Sequence, residues 1–341
     1  MARPTQRQIA SELGLSPATV SLALRGSPMI AAETRALVRD AVARAGYVPN
    51  AAAASLRTGR SRIVGVSFHN IAHQFFAEML IAIEDELAAN GAAVFINNHG
   101  DDPERFARFV DTLASYGADG LIASPPLHVT TRALAPIRER GVPVVYASRR
   151  IEDDTVSDWV VNDDREAMRQ ATARLTGLGH RDILLLGGRP GVNTADDRLE
   201  GFRAALEAAG IAWQENRWLQ TPPRLREGAE AARQALARTP RPTALVCFND
   251  LVAFGALNAV RMVGLEPARD VAIVGIGGTA EAAAYHPALT TALDNPAKLG
   301  RRAAVMLIAR LDHPNAPPCR EVFAPRLVIR ESCGGPVRAT G

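Results

Sequence analysis

The chain is short of several things at once. Its 3 cysteines among 341 residues, Cys247, Cys319 and Cys333, are odd in number and far apart, which gives neither a metal-ligand spacing nor a disulfide framework. Lysine is nearly absent, since arginine supplies all of the 39 basic residues except Lys298. No stretch approaches the roughly 18 uninterrupted apolar residues that a membrane span needs. Met1-Ala2-Arg3-Pro4 runs into a helical pattern without the apolar segment of a secretory leader. Gly275-Ile276-Gly277-Gly278 falls short of the dinucleotide fingerprint, because Ala280 stands where the third glycine belongs. His69, His73, His99 and His128 lack the two-on-one-face spacing of a metal helix and read as exposed or loop histidines. No nucleophile is matched with a base. These absences point away from membranes, cofactors and catalysis, and toward a reducing cytoplasm.

What is present is ordinary in amount and uneven in distribution. The chain is 47% apolar and 22% charged, with a net charge of +3, as in a globular protein. Residues 1–62 hold nine arginines against Glu12, Glu33 and Asp40, about +6, so the remainder carries about −3. A basic head on a mildly acidic body is the electrostatic footprint of a nucleic-acid reader.

The head has a matching pattern. Thr5 and Gln8 have the spacing of a capping box, Ile9, Ala10 and Leu13 form an apolar stripe, and Gly14 ends the helix. Ser16-Pro17 starts a second helix, an N-cap residue followed by proline at the first helical position. Two short helices around a glycine turn make a helix-turn-helix. Val20 and Leu24 face inward, which leaves Pro17, Ala18, Ser21, Leu22 and Arg25 for a major groove. A third helix runs from Glu33 to Gly46, with Leu37, Val38, Ala41, Val42 and Ala45 at helical spacing.

At this point TVSLALRG, ETRALVRDAVARAGYVPN and AAAASLRTGRSRIVGV resemble, in order and spacing, the LacI family of bacterial transcription regulators. The resemblance implies a small all-α headpiece over 1–49, a hinge helix over 50–60, and a two-lobed effector-binding and dimerisation domain over 61–330, with a tail over 331–341. It implies an effector-responsive repressor, nucleoid-associated in the cytoplasm, that binds a palindromic operator as a homodimer. The competing reading is a free solute-binding protein of the periplasmic-binding type, against which the headpiece argues. DNA contacts are expected from Thr5, Ser16, Pro17, Ala18, Thr19, Ser21, Leu22, Arg25, Tyr47 and Asn50. Pro17, Ala18 and Leu22 occupy the family's base-reading positions and offer no bidentate hydrogen bond, so indirect readout is expected to carry much of the specificity. Leu56 matches the leucine that wedges into the minor groove, and Ala53 and Ala54 fit a close approach to the groove floor. No heptad tail follows Glu331-Ser332, so a coiled-coil tetramer is not expected.

The body alternates β-branched apolar runs with helical patterns, as in Ile63–Ser67, Gly120–Ala123, Ile183–Leu186 and Val271–Val274. Strands of this kind are buried on both faces of parallel sheets with helices on each side. Some ten to twelve of them suggest two α/β lobes. The resemblance implies a periplasmic-binding-protein-like type I arrangement, lobe 1 about 61–160 plus 292–321 and lobe 2 about 161–291 plus 322–330, with crossings near 160, 291 and 322.

The resemblance also places an effector between the lobes. The matching positions are His73, Phe75, Ser124, Ser148, Arg149, Thr194, Arg198, Phe248, Asn249, Gly277 and Asp294. Ser148 and Gly277 stand where many members have aspartates that grip sugar hydroxyls. Two arginines with fewer acids suggest a sugar-derived or anionic metabolite as much as a neutral sugar.

Overall fold

A computed structural model describes residues 4–47 and 59–334. Asn50, Ala53, Ala54 and Leu56, and with them the expected hinge helix, lie outside the described residues. The chain forms two compact units, 1–61 and 62–341.

Among its described residues the first unit holds three helices: α1 (Gln6–Glu12), α2 (Pro17–Leu24) and α3 (Ala32–Ala45). Thr5 and Gln8 form the full reciprocal capping box. Ser16 caps α2 by accepting the Thr19 N–H at 3.0 Å. Gly46 ends α3 at φ +61°, a left-handed conformation that costs glycine no side-chain clash. Ile9, Ala10, Val20, Ala23, Val38 and Ala41 are buried together. Leu37, expected on the apolar stripe of α3, stays 47% exposed. It is one residue before Val38, about 100° around the helix, and Val38 takes the inward position.

The second unit has two six-stranded sheets. The first has the order β11-β5-β4-β3-β1-β2. Its strands are β1 (Ile63–Phe68), β2 (Ala93–Asn98), β3 (Gly120–Ala123), β4 (Val144–Ala147), β5 (Asp158–Asn162) and β11 (Arg320–Phe323), all parallel to their neighbours. The second has the order β12-β10-β9-β8-β6-β7. Its strands are β6 (Ile183–Leu186), β7 (Trp218–Leu219), β8 (Ala244–Cys247), β9 (Ala272–Gly277), β10 (Thr290–Leu293) and β12 (Arg326–Val328). Only β12 runs antiparallel to its partner. The central strands β3, β4, β6 and β8 are buried along their whole length, which is why they read as unbroken apolar runs.

The chain passes between the sheets three times. After β5 it enters α7 (Asp164–Gly177), whose Ala167, Met168 and Ala171 pack in the core of the second lobe. After β10 it enters α12 (Pro296–Asp312), whose Leu299, Ala303 and Leu307 pack in the core of the first. The third passage joins β11 to β12 between Phe323 and Arg326. Further helices bring residues to the cleft or cover the sheets: α4 (Gln74–Ala89), α5 (Pro103–Ser115), α6 (Ala135–Arg138), α8 (Asn193–Ala208), α9 (Leu225–Leu236), α10 (Asp250–Met262) and α11 (Glu281–Ala284). In α5 the Asp102 cap and Pro103 set the start, and Phe106, Val110 and Leu113 form one fully buried face. No described helix is long and apolar enough to cross a membrane.

Candidate functional site

In the first unit α2 presents Ser16, Pro17, Ala18 and Arg25 to solvent, with Thr19, Ser21 and Leu22 half-buried. Leu22 is not among the residues that pack the three-helix core, so it remains available on the outer face. Gln6 Nε2 donates to the Pro17 carbonyl at 3.2 Å, tying α1 to the start of α2. Arg25 Nε turns back to the Ser21 carbonyl at 3.1 Å. Thr5 is committed to its cap, with its N–H donating to Gln8 Oε1 at 2.7 Å. Tyr47 packs partly buried against the core.

In the second unit a cleft of about 870 Å³, its open mouth included, is lined by both lobes. It lies beyond the carboxyl ends of the strands, where parallel α/β sheets leave their crevices. His69 follows β1, Ser148 and Arg149 follow β4, Phe248 and Asn249 follow β8, Gly277 ends β9, and Asp294 follows β10. His73 and Phe75 come from the start of α4, and Thr194 and Arg198 from α8. Ten of the eleven candidate cleft residues thus line one cavity. Ser124 does not: its N–H donates to the Ser67 carbonyl at 2.9 Å, and its side chain is fully buried behind the wall.

The arginines are not free. Arg198 Nε donates to Asp164 Oδ1 at 2.6 Å, its Nη2 is 3.4 Å from Asp294 Oδ2, and its Nη1 donates to the Phe248 carbonyl. Its guanidinium also lies 4.5 Å from the Phe248 ring centre. Burial disfavours its charge, yet the attraction of Asp164 and Asp294 outweighs this and raises its pKa. Arg149 Nη1 is paired with Asp101 Oδ1 at 2.6 Å. Nor is the cleft short of acids: Asp164, Asp250 and Asp294 are all buried in its wall. The two arginines are in the cleft as expected, but the expectation of fewer acids is corrected: three carboxyls are buried in the wall, and each guanidinium already has a carboxylate partner.

The three carboxyls differ in what they leave open. Burial raises the pKa of Asp164, opposed by Arg198. Burial also raises that of Asp250, whose oxygens take Thr291 Oγ1–H at 2.6 Å and the Thr279 N–H at 2.9 Å. Gly277, at φ +141°, holds a backbone conformation that side chains rarely adopt. Asp294 is pushed up to about 7, first by burial and then by its acidic neighbours against the pull of Arg198. Its Oδ1 is buried without a hydrogen-bond partner. His69 Nδ1 is likewise buried and unpartnered.

All four histidines lie in loops, as the sequence suggests, but three of them are not exposed. His69, His73 and His99 are all substantially buried, and burial lowers the pKa of each. His69 packs edge-on against Phe76 at 4.5 Å, and His99 Nε2 lies 3.0 Å from the Ser124 carbonyl. His128 alone of the four is exposed. Asp164 and Asp250 went unmarked in the sequence, although each follows a strand at a helix start, in Asn-Asp-Asp and Phe-Asn-Asp. Among the described residues no group of His, Cys, Asp and Glu could hold a metal ion.

Residues 5–50 match the model of bacterial regulatory proteins of the lacI family, and residues 172–333 match a periplasmic binding protein-like domain. The chain is 32% identical over 339 residues to the HTH-type transcriptional regulator CelR of Thermobifida fusca, covering 97% of this chain and 98% of that protein. It is 30% identical over 335 residues to the HTH-type transcriptional repressor PurR of Escherichia fergusonii, with 98% of both covered. Among solved structures it is similar to a CelR–cellobiose complex, at a TM-score of 0.73 and 28% identity, covering 97% of this chain and 100% of that one.

Proposed function

The chain belongs to the lacI family of bacterial regulatory proteins, and from that premise we propose that it is a repressor whose cleft binds a neutral, hydroxyl-rich effector and whose headpieces, paired in a dimer, grip a palindromic operator. DNA-binding transcriptional regulation itself follows from the family; the match over 5–50 sets aside the free solute-binding alternative. The relatives are regulators rather than enzymes, and we read this chain as non-catalytic and cytoplasmic.

The reading of the headpiece rests on the exposed start of α2. Ser16 and Thr19 hydroxyls and the helix start suit phosphate oxygens. Ala18 and Leu22 suit thymine methyls, with Ser21 and Arg25 beside them. The hinge contacts, Leu56 foremost, rest on the sequence resemblance. A dimer follows from operator symmetry, since two half-sites call for two headpieces.

The reading of the cleft is carried by one observation: Arg198 is buried and already neutralised by Asp164 and Asp294, while Asp294 Oδ1 remains an open acceptor. An anion would meet no unpaired cation there. It would also meet three buried carboxyl groups, whose repulsion in a low-dielectric site is costly. Sugar hydroxyls donate to carboxylates and accept from guanidinium, and Phe75 and Phe248 offer apolar faces to a sugar ring. A similar solved structure is a CelR–cellobiose complex, which makes neutral oligosaccharides the first ligands to try. A thermal-shift screen of neutral sugars, sugar acids and sugar phosphates tests this. Stabilisation by a neutral sugar, abolished in Arg198→Ala, is expected; stabilisation by sugar acids or phosphates alone overturns it.

A further inference from the structure

Two helix caps face each other across the cleft. His73 caps α4, its Nδ1 accepting the Phe75 N–H at 3.2 Å. Asn249 caps α10, its Oδ1 accepting the Val252 N–H at 2.9 Å. Asn249 Nδ2 also donates to the Pro223 carbonyl at 3.2 Å. A donor at Oδ1 and a carbonyl at Nδ2 together fix which way the amide points, since the reversed amide would oppose like with like at both ends.

The cap fixes the imidazole in the same way. An Nδ1 that accepts carries no proton, so a neutral ring holds its proton on Nε2. The ring is neutral near pH 7, because burial first, and then the nearby Arg198, lowers its pKa below the usual histidine value. The result is a conflict. His73 Nε2–H and the second N–H of Asn249 Nδ2 meet with 3.4 Å between the nitrogens, and neither can accept from the other. Capping does not require this. A serine or asparagine at 73 would cap α4 as well, without reaching across the cleft.

We propose that His73 and Asn249 are a two-donor clamp for a single acceptor oxygen of the effector, so that the ligand supplies the atom that joins the lobes. This rests on reading the cleft as the effector site, and it adds a polarity to the ligand. An oxygen with two lone pairs, whether hydroxyl, ring or carbonyl, fits the clamp; an ammonium group does not. On the far wall Asp294 Oδ1 has no partner and, in the ionised form, calls for a donor. The bound molecule therefore presents an acceptor to His73 and Asn249 and a hydroxyl to Asp294. An ion with acceptors only, such as a fully ionised dicarboxylate, satisfies one end and not the other.

The test needs no ligand, so its outcome is separate from whether any sugar binds. Full-length protein labelled with ¹⁵N at histidine is studied near pH 7.5 by long-range ¹H–¹⁵N correlation, His73 being assigned by its loss in His73→Asn. The expected result is a bare Nδ1 and a protonated Nε2. The opposite tautomer overturns the proposal, because Nε2 would then accept from Asn249 and no ligand oxygen would be called for. Asn249→Asp supplies the second arm: it keeps an acceptor for the Val252 N–H and turns the opposing donor into an acceptor. The His73 Nε2–H resonance should then move downfield as it engages the carboxylate. An unmoved resonance in a folded Asn249→Asp protein, judged by an otherwise preserved spectrum, also overturns the clamp.

Discussion

The headpiece and the cleft are built by opposite means. In the headpiece each recognisable device closes within a few residues: Thr5 with Gln8, Ser16 with Thr19, and Gly46 at the end of α3. In the cleft every decisive pair spans a long stretch of chain. Asp164 meets Arg198 from a neighbouring helix, Arg198 meets Asp294 from across a crossing, and His73 meets Asn249 from the other lobe. The first kind of construction is fixed by local backbone chemistry. The second depends on the whole fold being in place, so its failures should spread through the body.

The largest effect that separates the two belongs to Arg198→Ala. It leaves Asp164 and Asp294 buried without their shared cation, and removing one partner of a buried pair costs about 3–5 kcal/mol. Denaturant unfolding should show the loss in the body's transition, with the headpiece's own transition unmoved. Equal shifts in both transitions would erase the distinction.

Val20→Ala is the counterpart in the headpiece. Val20 is fully buried in the headpiece core beside Ile9 and Val38, and losing its burial should cost about 2 kcal/mol. Specific DNA affinity should fall, while the body's melting temperature stays as it was. A smaller loss is expected from Ser16→Ala, about 1 kcal/mol for the missing cap. Circular dichroism of the isolated headpiece would show it as earlier melting, without any change in ligand binding by the full chain.

The difference in construction also explains what could be read in advance. The helix-turn-helix was legible because capping boxes, a proline at the first helical position and a glycine stop are short patterns with a physical cause. The buried strands were legible as apolar runs, and the cleft positions by resemblance. The state of Arg149 and Arg198 was not. That each is already paired depends on Asp101 and Asp164, which only the folded chain brings to 2.6 Å of them. Ser124 was misplaced for a similar reason: it follows a strand like its neighbours, yet its side chain is sealed inside. Leu37 shows the limit within a single helix, since two adjacent apolar residues compete for one inward direction and Val38 wins.

The smallest expected effect is a change of slope with pH. Asp294 has a folded pKa of about 7, above its ordinary value of 3.8, so it favours the folded state at low pH and loses that contribution as pH rises toward 7. His69 and His73 have lowered values, so they favour the folded state above about 6.5 and lose that contribution as pH falls. The two effects oppose each other between pH 5 and 7. Asp294→Asn removes one raised carboxyl from this balance, and stability should climb more steeply with pH than in the parent. A parallel pair of curves would mean that Asp294 is ionised throughout this range.

The central claim is that sequence-specific DNA recognition resides in the first unit and ligand recognition in the second. Selection from random double-stranded DNA tests it most directly, with the full chain and with residues 62–341 run side by side. The account predicts that the full chain enriches a palindromic site while the 62–341 chain, folded by circular dichroism, enriches none. Enrichment of the same site by residues 62–341, or of no site by the full chain, would contradict it.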